Sequence, residues 1–209
     1  MSYNYNINAG IKDKRSTACL ITCHTLSEIS NYFVSTFLVA YIYAFSGSIF
    51  DYILNVGIYN LVSYVVFFLL LIPLGKWVDK TNRIWPYRIS LVIRTALVVV
   101  AIYCGKDISK MLILAGFLHG CSSAFYYSSY NTLRHEMVSR KSMKSFMVLS
   151  QVLTLFIGTA IPLVLGAIID VSSYAKASIL VIIVCAIQII LSFFVKSQKP
   201  ENSSFSLKY

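Results

Sequence analysis

The sequence predicts an all-α integral membrane protein built from six transmembrane helices, and three observations lead there. Hydrophobic residues make up 57% of the 209 residues, charged residues only 12%, and mean hydropathy is +0.72. A soluble domain of that composition would expose large contiguous apolar patches. The apolar residues gather into runs of about 20, the length that crosses roughly 30 Å of hydrocarbon as a helix. The basic residues, in turn, collect in alternate separators between the runs. In a soluble chain a net charge of +10 would suggest a nucleic-acid partner. Distributed in this way it specifies orientation instead, and the expected surroundings are a lipid bilayer with no nucleic acid.

Residues 1–25 are polar and mixed, with Lys12, Lys14 and Arg15, and read as a cytoplasmic N-terminal tail. No short apolar stretch followed by a small-residue cleavage site opens the chain, so the first spanning helix is expected to be retained. Cys19 and Cys23, with His24 beside the second, share one helical face. No further His or Cys is close enough in sequence to complete a four-ligand site, and they read as juxtamembrane residues. Cys104, Cys121 and Cys185 fall one per apolar run and read as packing residues, not a disulfide framework. Neither metal nor cofactor is expected.

The bundle is expected over 26–195, with apolar runs at 29–45, 53–74, 86–103, 108–130, 146–169 and 175–195. The separators are short, so consecutive helices must be antiparallel. Lys and Arg number 14 in the two tails and the second and fourth loops, against 3 on the opposite side, Lys106, Lys110 and Lys176. By the positive-inside rule both termini face the cytoplasm of a cell membrane. Trp77 and Trp85 lie at the cytoplasmic boundary, where an aromatic belt belongs. Residues 196–209 read as a cytoplasmic tail or the truncated start of a linker.

Between the second and third runs stands a basic hairpin, residues 74–88. Gly75 removes a side chain where another backbone must approach closely. Asp79 puts a carboxylate at the lipid-water boundary, within reach of Lys80, Arg83 or the positive end of a neighbouring helix. Asn82 enters the left-handed conformation of a sharp turn more readily than most residues. The order Gly75, Asp79, Lys80, Asn82, Arg83 resembles the signature loop between helices 2 and 3 of the major facilitator superfamily of secondary transporters. Asn82 stands where the family usually has Gly, and Ile84 where it often has another basic residue. The resemblance implies one half of a major facilitator fold, a small-molecule solute as ligand, and Asp79 with Arg83 as a cytoplasmic gate latch.

Arg94 lies inside the third run. A charge at mid-membrane costs about 2.5–3.5 kcal/mol on insertion scales, so it must face a wet cavity or snorkel to an interface. In the fourth run Gly116, Gly120 and Ala124 form a small-residue ridge suited to close helix packing. On the adjacent face are His119, Ser123, Tyr126 and Tyr130, which either line a cavity or bond to a neighbouring helix. In the family, helices 1 and 4 of this half line the central cavity, and the first run offers Asn31 and Ser35 at helical spacing. The segment 119–124 resembles the tail of the family's helix 4 motif, yet the motif's leading Arg would fall on Gly116. The resemblance therefore does not carry proton coupling over to this chain.

The fifth run contains Gly158, Pro162 and Gly166 and reads as a bent, closely packed helix. Its end echoes the second run, each closing with Pro, Gly and an Asp four residues after the Gly: Pro73, Gly75, Asp79 and Pro162, Gly166, Asp170. Runs 1–3 and 4–6 are accordingly expected to be two inverted three-helix repeats.

No nucleophile triad, paired acids in one wet region, phosphate loop or metal motif appears, so no enzyme is expected. Glu28, Asp51 and Asp170 are read at span ends. The expected function is solute transport by alternating access, as the N-terminal half of a secondary transporter that is incomplete by itself. A second six-helix half would complete it, from the same gene continued, a separate chain or a homodimer. The alternative is a non-transporting six-helix membrane protein, an assembly factor or sensor reusing the half-bundle.

Overall fold

A computed structural model describes residues 14–80, 83–138 and 140–196, with the side chains of residues 14, 15, 79, 80, 105, 106, 140 and 141 outside the description. Among these residues every regular element is helical and no strand occurs. The first is α1, Lys14–Tyr32, which passes through a π-helical stretch Phe33–Leu38 into α2, Val39–Ala44. Then follow α3, Ile49–Lys80, α4, Ile84–Cys104, a 3-10 turn Gly105–Met111, α5, Leu112–Met137, α6, Arg140–Val171, and α7, Tyr174–Ser192.

Local chemistry accounts for several boundaries. Ser48 and Asp51 form a reciprocal cap at the start of α3: the Asp51 amide donates to Ser48 Oγ at 3.1 Å, and that hydroxyl donates to the Asp51 carboxylate at 2.7 Å. Such a pair satisfies amides that the first helical turn leaves without partners. Ser173, in extended backbone, caps α7 by accepting from the Lys176 amide at 3.3 Å. Pro73 and Pro162 lie inside helices that continue through them.

Five helices are long and apolar enough to cross a membrane: Ile49–Val78, Ile84–Cys104, Asp107–Met137, Ser142–Val171 and Tyr174–Ser192. The chain is thus a multi-pass membrane protein. The first expected span, 29–45, is not among the five; it falls across the end of α1, the π-helical stretch and α2. Within the expected tail, the described residues from Lys14 on are helical, and Leu20 and Cys23 are fully buried against α4, α5 and α7. Cys19, Cys23 and His24 are therefore part of the first helix, and Glu28 is a buried acid within it, not a residue at a span end.

The helices pair in a definite pattern. α5 packs on α3 and α4, α1 packs on α6 and α7, and α4 meets α7. The ridge expected on α5 lies in the first of these seams. A methyl added at Gly116 would come within 2.6 Å of the Tyr59 carbonyl oxygen, and one at Gly120 would strike the Ser63 carbonyl and lie 2.9 Å from Val66. Only glycine lets two backbones approach so closely. Gly158 of α6 serves the α1 seam differently, because what fills its space is the ring of Tyr32, 2.8 Å from the position of such a methyl. Among the described residues, a methyl added at Gly75 or Gly166 meets nothing within 4 Å.

Burial is uneven. Within their most apolar stretches α3 and α6 are each 11% buried, against 44% for α5. Phe68, Leu69 and Ile72 of α3 and Phe156 and Leu163 of α6 are among the exposed large side chains. In a bilayer such side chains meet lipid tails, which are as apolar as they are.

Candidate functional site

The interior consists of two apolar clusters with a polar layer between them. One gathers Leu20, Cys23, Leu91, Tyr126 and Leu133; the other gathers Phe33, Leu38, Leu97, Leu112 and Val181. On α1, α4 and α5 alike, the residues that separate them are Ser27, Arg94 and Ser122. Arg94 is 4% exposed. Its Nη1 donates to Ser27 Oγ at 2.6 Å and to the Ser27 carbonyl at 3.2 Å, and its Nε donates to Ser122 Oγ at 3.2 Å. Ser122 passes the chain on, donating to the Ser90 carbonyl at 3.1 Å. The guanidinium carbon also lies 5.1 Å from the centre of the Tyr126 ring, within cation-π range. Arg94 neither snorkels nor faces an open cavity. It joins α1, α4 and α5 from inside, which is how a charge held away from water is tolerated.

Tyr126 extends the layer. Its hydroxyl meets His24 Nδ1 at 2.6 Å, and His24 stacks on Tyr130 with ring centres 4.5 Å apart. The Glu28 carboxylate is 3.9 Å from the same His24 nitrogen. Tyr126 and Tyr130 thus bond and stack with the neighbouring first helix instead of lining a cavity.

A cavity adjoins this layer. A half-open pocket of about 200 Å³ is lined by Asn31 of α1, Ser63, Tyr64 and Phe67 of α3, and His119, Ser123 and Tyr127 of α5. His119 is held by α3: its Nδ1 is 2.7 Å from the Tyr59 hydroxyl and 3.2 Å from Ser63 Oγ, and its ring lies nearly parallel to Tyr59 at 10°. The Gly116–Gly120 seam makes this possible, since only the close approach of α3 and α5 brings those hydroxyls within reach. Ser122 faces Arg94 while Ser123, one residue on, faces the pocket. On α1, Ser27 meets Arg94, and Asn31, one turn on along the same face, lines the pocket.

The structure therefore brings Asn31, His119 and Ser123 together in the lining of the pocket, which does not include Arg94, Tyr126 or Tyr130. Ser35 is exposed in the π-helical stretch, where its hydroxyl reaches only the Tyr32 carbonyl at 3.5 Å. Of the signature hairpin, Arg83 forms an ion pair with Glu136 at the end of α5, tying the hairpin to the helix that carries His119. Asn82 and the side chains of Asp79 and Lys80 lie outside the described residues. Among the described residues no group of His, Cys, Asp and Glu is arranged to hold a metal ion.

Ser27, Ser63, Tyr64, Phe67, Ser122 and Tyr127, together with His24 and Glu28, are the residues that sequence reasoning missed. A signal existed for the last pair. Asn31 and Ser35 continue backwards at helical spacing to Glu28 and His24, and neither Gly nor Pro interrupts residues 11–46. For the serines there was none, because Ser is common and its partner is distant in sequence.

Comparison with curated proteins and with solved structures finds no match. A family model described as Major Facilitator Superfamily matches residues 20–208. That stretch opens in the first half of α1, ahead of the first expected span, and takes in His24, the buried layer, the pocket and the hairpin. Members of that family transport solutes and are not enzymes, which accords with a pocket of hydrogen-bonding side chains in a helical membrane bundle. The chain belongs to the major facilitator superfamily.

Proposed function

We propose that this chain forms the N-terminal half of a secondary transporter that works by alternating access, with the pocket between α1, α3 and α5 as its half of the solute site. The observation that carries the reading is the pocket itself: Asn31, His119 and Ser123, from two different helices, converge on a space open on one side. Polar side chains turned to lipid are costly, so a second six-helix half closes that side, and the solute sits between the halves. The exposed faces of α3 and α6 supply apolar surface for such a partner.

The proposal includes six spans in two inverted repeats, the first span being α1 with α2. The packing pattern supports this, because exchanging first with fourth, second with fifth and third with sixth spans turns the α3–α5 contact into α6–α1 and the α4–α5 contact into α7–α1, and leaves α4–α7 unchanged. Both termini face the cytoplasm of the plasma membrane, supported by the distribution of basic residues. In a cysteine-free background, an impermeant thiol reagent added from outside labels Lys106→Cys and spares Arg83→Cys; the reverse pattern sinks the orientation. Asp79 and Arg83 act as the cytoplasmic latch, so Asp79→Asn in the complete transporter lowers transport more than it lowers membrane insertion, and equal losses would make Asp79 a folding residue only.

The decisive experiment is uptake. Liposomes carrying the 209-residue chain alone accumulate no solute, whereas liposomes that also carry a second half do. Saturable uptake by the chain alone, abolished by His119→Ala, would overturn the need for another half.

A further inference from the structure

We infer that the pocket takes a solute without net charge, a single ring bearing hydroxyl or amide groups, and discriminates against organic anions and cations. This rests on the reading of the pocket as half of the solute site, and concerns the class of solute that fits it.

The lining chemistry is the first reason. Asn31, Ser63, His119 and Ser123 offer an amide, two hydroxyls and an imidazole, while Tyr64, Phe67 and Tyr127 offer aromatic surface; among the described residues no Asp, Glu, Lys or Arg lines the space. An anion would be drawn by a planar guanidinium, and Arg94 is the nearest candidate. Its Nε and Nη1 are committed to Ser27 and Ser122 and its face to Tyr126. A cation would be drawn by a carboxylate; the described Glu28 is buried between His24 and the lining residue Asn31, to which it is hydrogen-bonded, and is likewise absent from the lining.

Aromatic rings can also hold cations over their faces. Here Phe67 and Tyr127 meet edge to face, at 88° with ring centres 6.2 Å apart. In that arrangement one ring's electron-rich face is already engaged by the other's positive edge, so the two do not form a ready cage. What remains is apolar surface against which the flat side of a ring can lie.

Size and orientation complete the argument. A volume of about 200 Å³ corresponds to roughly seven waters at about 30 Å³ each, room for one substituted ring against this wall. His119 is fixed by stacking on Tyr59 and by the contacts at Nδ1, which leaves Nε2 as the ring polar atom for a ligand. A site built around fixed hydrogen-bonding groups rejects analogues that lack the matching group, because its own groups are then left unpaired.

The test is equilibrium dialysis of the purified chain in lipid nanodiscs against four labelled probes: uridine, a methyl hexoside, tetraethylammonium and benzoate. At least one neutral probe binds saturably, about tenfold or more tighter than either ion. His119→Ala and Ser123→Ala each weaken it about two- to tenfold, the range for one lost hydrogen bond between uncharged groups. Ser123→Asp reverses the preference toward tetraethylammonium; should that variant not fold, as judged by its melting profile, Asn31→Asp makes the same test. Tighter binding of either ion to the unaltered chain, neutral binding untouched by both alanine variants, or no saturable binding of any probe would each overturn the inference. The transport reading fails separately: neutral binding without uptake in the completed transporter sinks transport alone, and uptake of an ion that depends on His119 sinks only the present inference.

Discussion

Two adjoining faces of α5 give their polar groups different surroundings. On one, Ser122 and Tyr126 complete the partners of Arg94, in a layer closed off by α1 and α4. On the next, His119 and Ser123 line a half-open space together with residues of α3 and α1. The closed face holds Arg94, and no charged residue among those described lines the open face. Desolvation explains the division. An ionised group away from water is tolerable only when its neighbours replace the lost hydration, which requires several partners held at fixed distances. Uncharged groups cost less to leave half satisfied and so remain free to meet a ligand. The closed layer fixes α1, α4 and α5 relative to one another, and the open face inherits that geometry.

If this division is right, the largest stability effect belongs to the closed face. Arg94→Ala removes a large buried side chain and the link among three helices, and is expected to destabilise by about 2–5 kcal/mol, the range for truncating large buried side chains. Unfolding in a detergent titration measures this, and a loss below that of His119→Ala would reverse the comparison. Ser27→Val keeps the charge but deprives Nη1 of its 2.6 Å partner. Hydrogen bonds to charged groups contribute about 1.5–3 kcal/mol, so a comparable loss is expected.

The seam beneath the open face comes next. Gly120→Val puts carbon where the Ser63 carbonyl and Val66 already lie and is expected to cost about 1–3 kcal/mol as overpacking. It also moves α3 away from His119, so neutral-solute binding falls with stability. His119→Ala loses contacts with Tyr59 and Ser63 at a stability cost of about 1 kcal/mol and shows its main effect in binding. Gly166→Ala, where an added methyl meets nothing among the described residues, is expected to stay within about 0.5 kcal/mol of the parent; a larger loss would indicate a neighbour outside the described residues.

A second contrast separates the α3–α5 seam from its counterpart between α6 and α1. In the first, glycines admit a neighbouring backbone; in the second, Gly158 admits a side chain, the ring of Tyr32, at the point where α1 becomes π-helical. A ring can rotate away where a carbonyl cannot. Gly158→Ala is therefore expected to be milder than Gly120→Ala in the same unfolding titration, and equal losses would remove the distinction.

Much of this was legible in the sequence. Composition and apolar run length determine a helical membrane protein, because lipid leaves backbone polar groups no partner outside a helix or a closed barrel. The hairpin order from Gly75 to Arg83 indicated the family. The ridge Gly116, Gly120, Ala124 announced a tight seam, since small residues at a four-residue spacing fall on one face of a helix. The polar stripe beside it named His119 and Ser123. Three matters were decided only by the tertiary structure. Helix α1 reaches back to Lys14 through a polar stretch that hydropathy reads as a tail, because Ser27 is partnered by Arg94 of α4, His24 by Tyr126 of α5 and Ser16 by the Lys196 amide. Arg94 was visible as a charge out of place, yet its partners Ser27 and Ser122 are 67 and 28 residues away in sequence. Which part of one polar stripe lines a pocket and which packs around Arg94 depends on what the neighbouring helices bring opposite it, and helical periodicity gives no information about those neighbours.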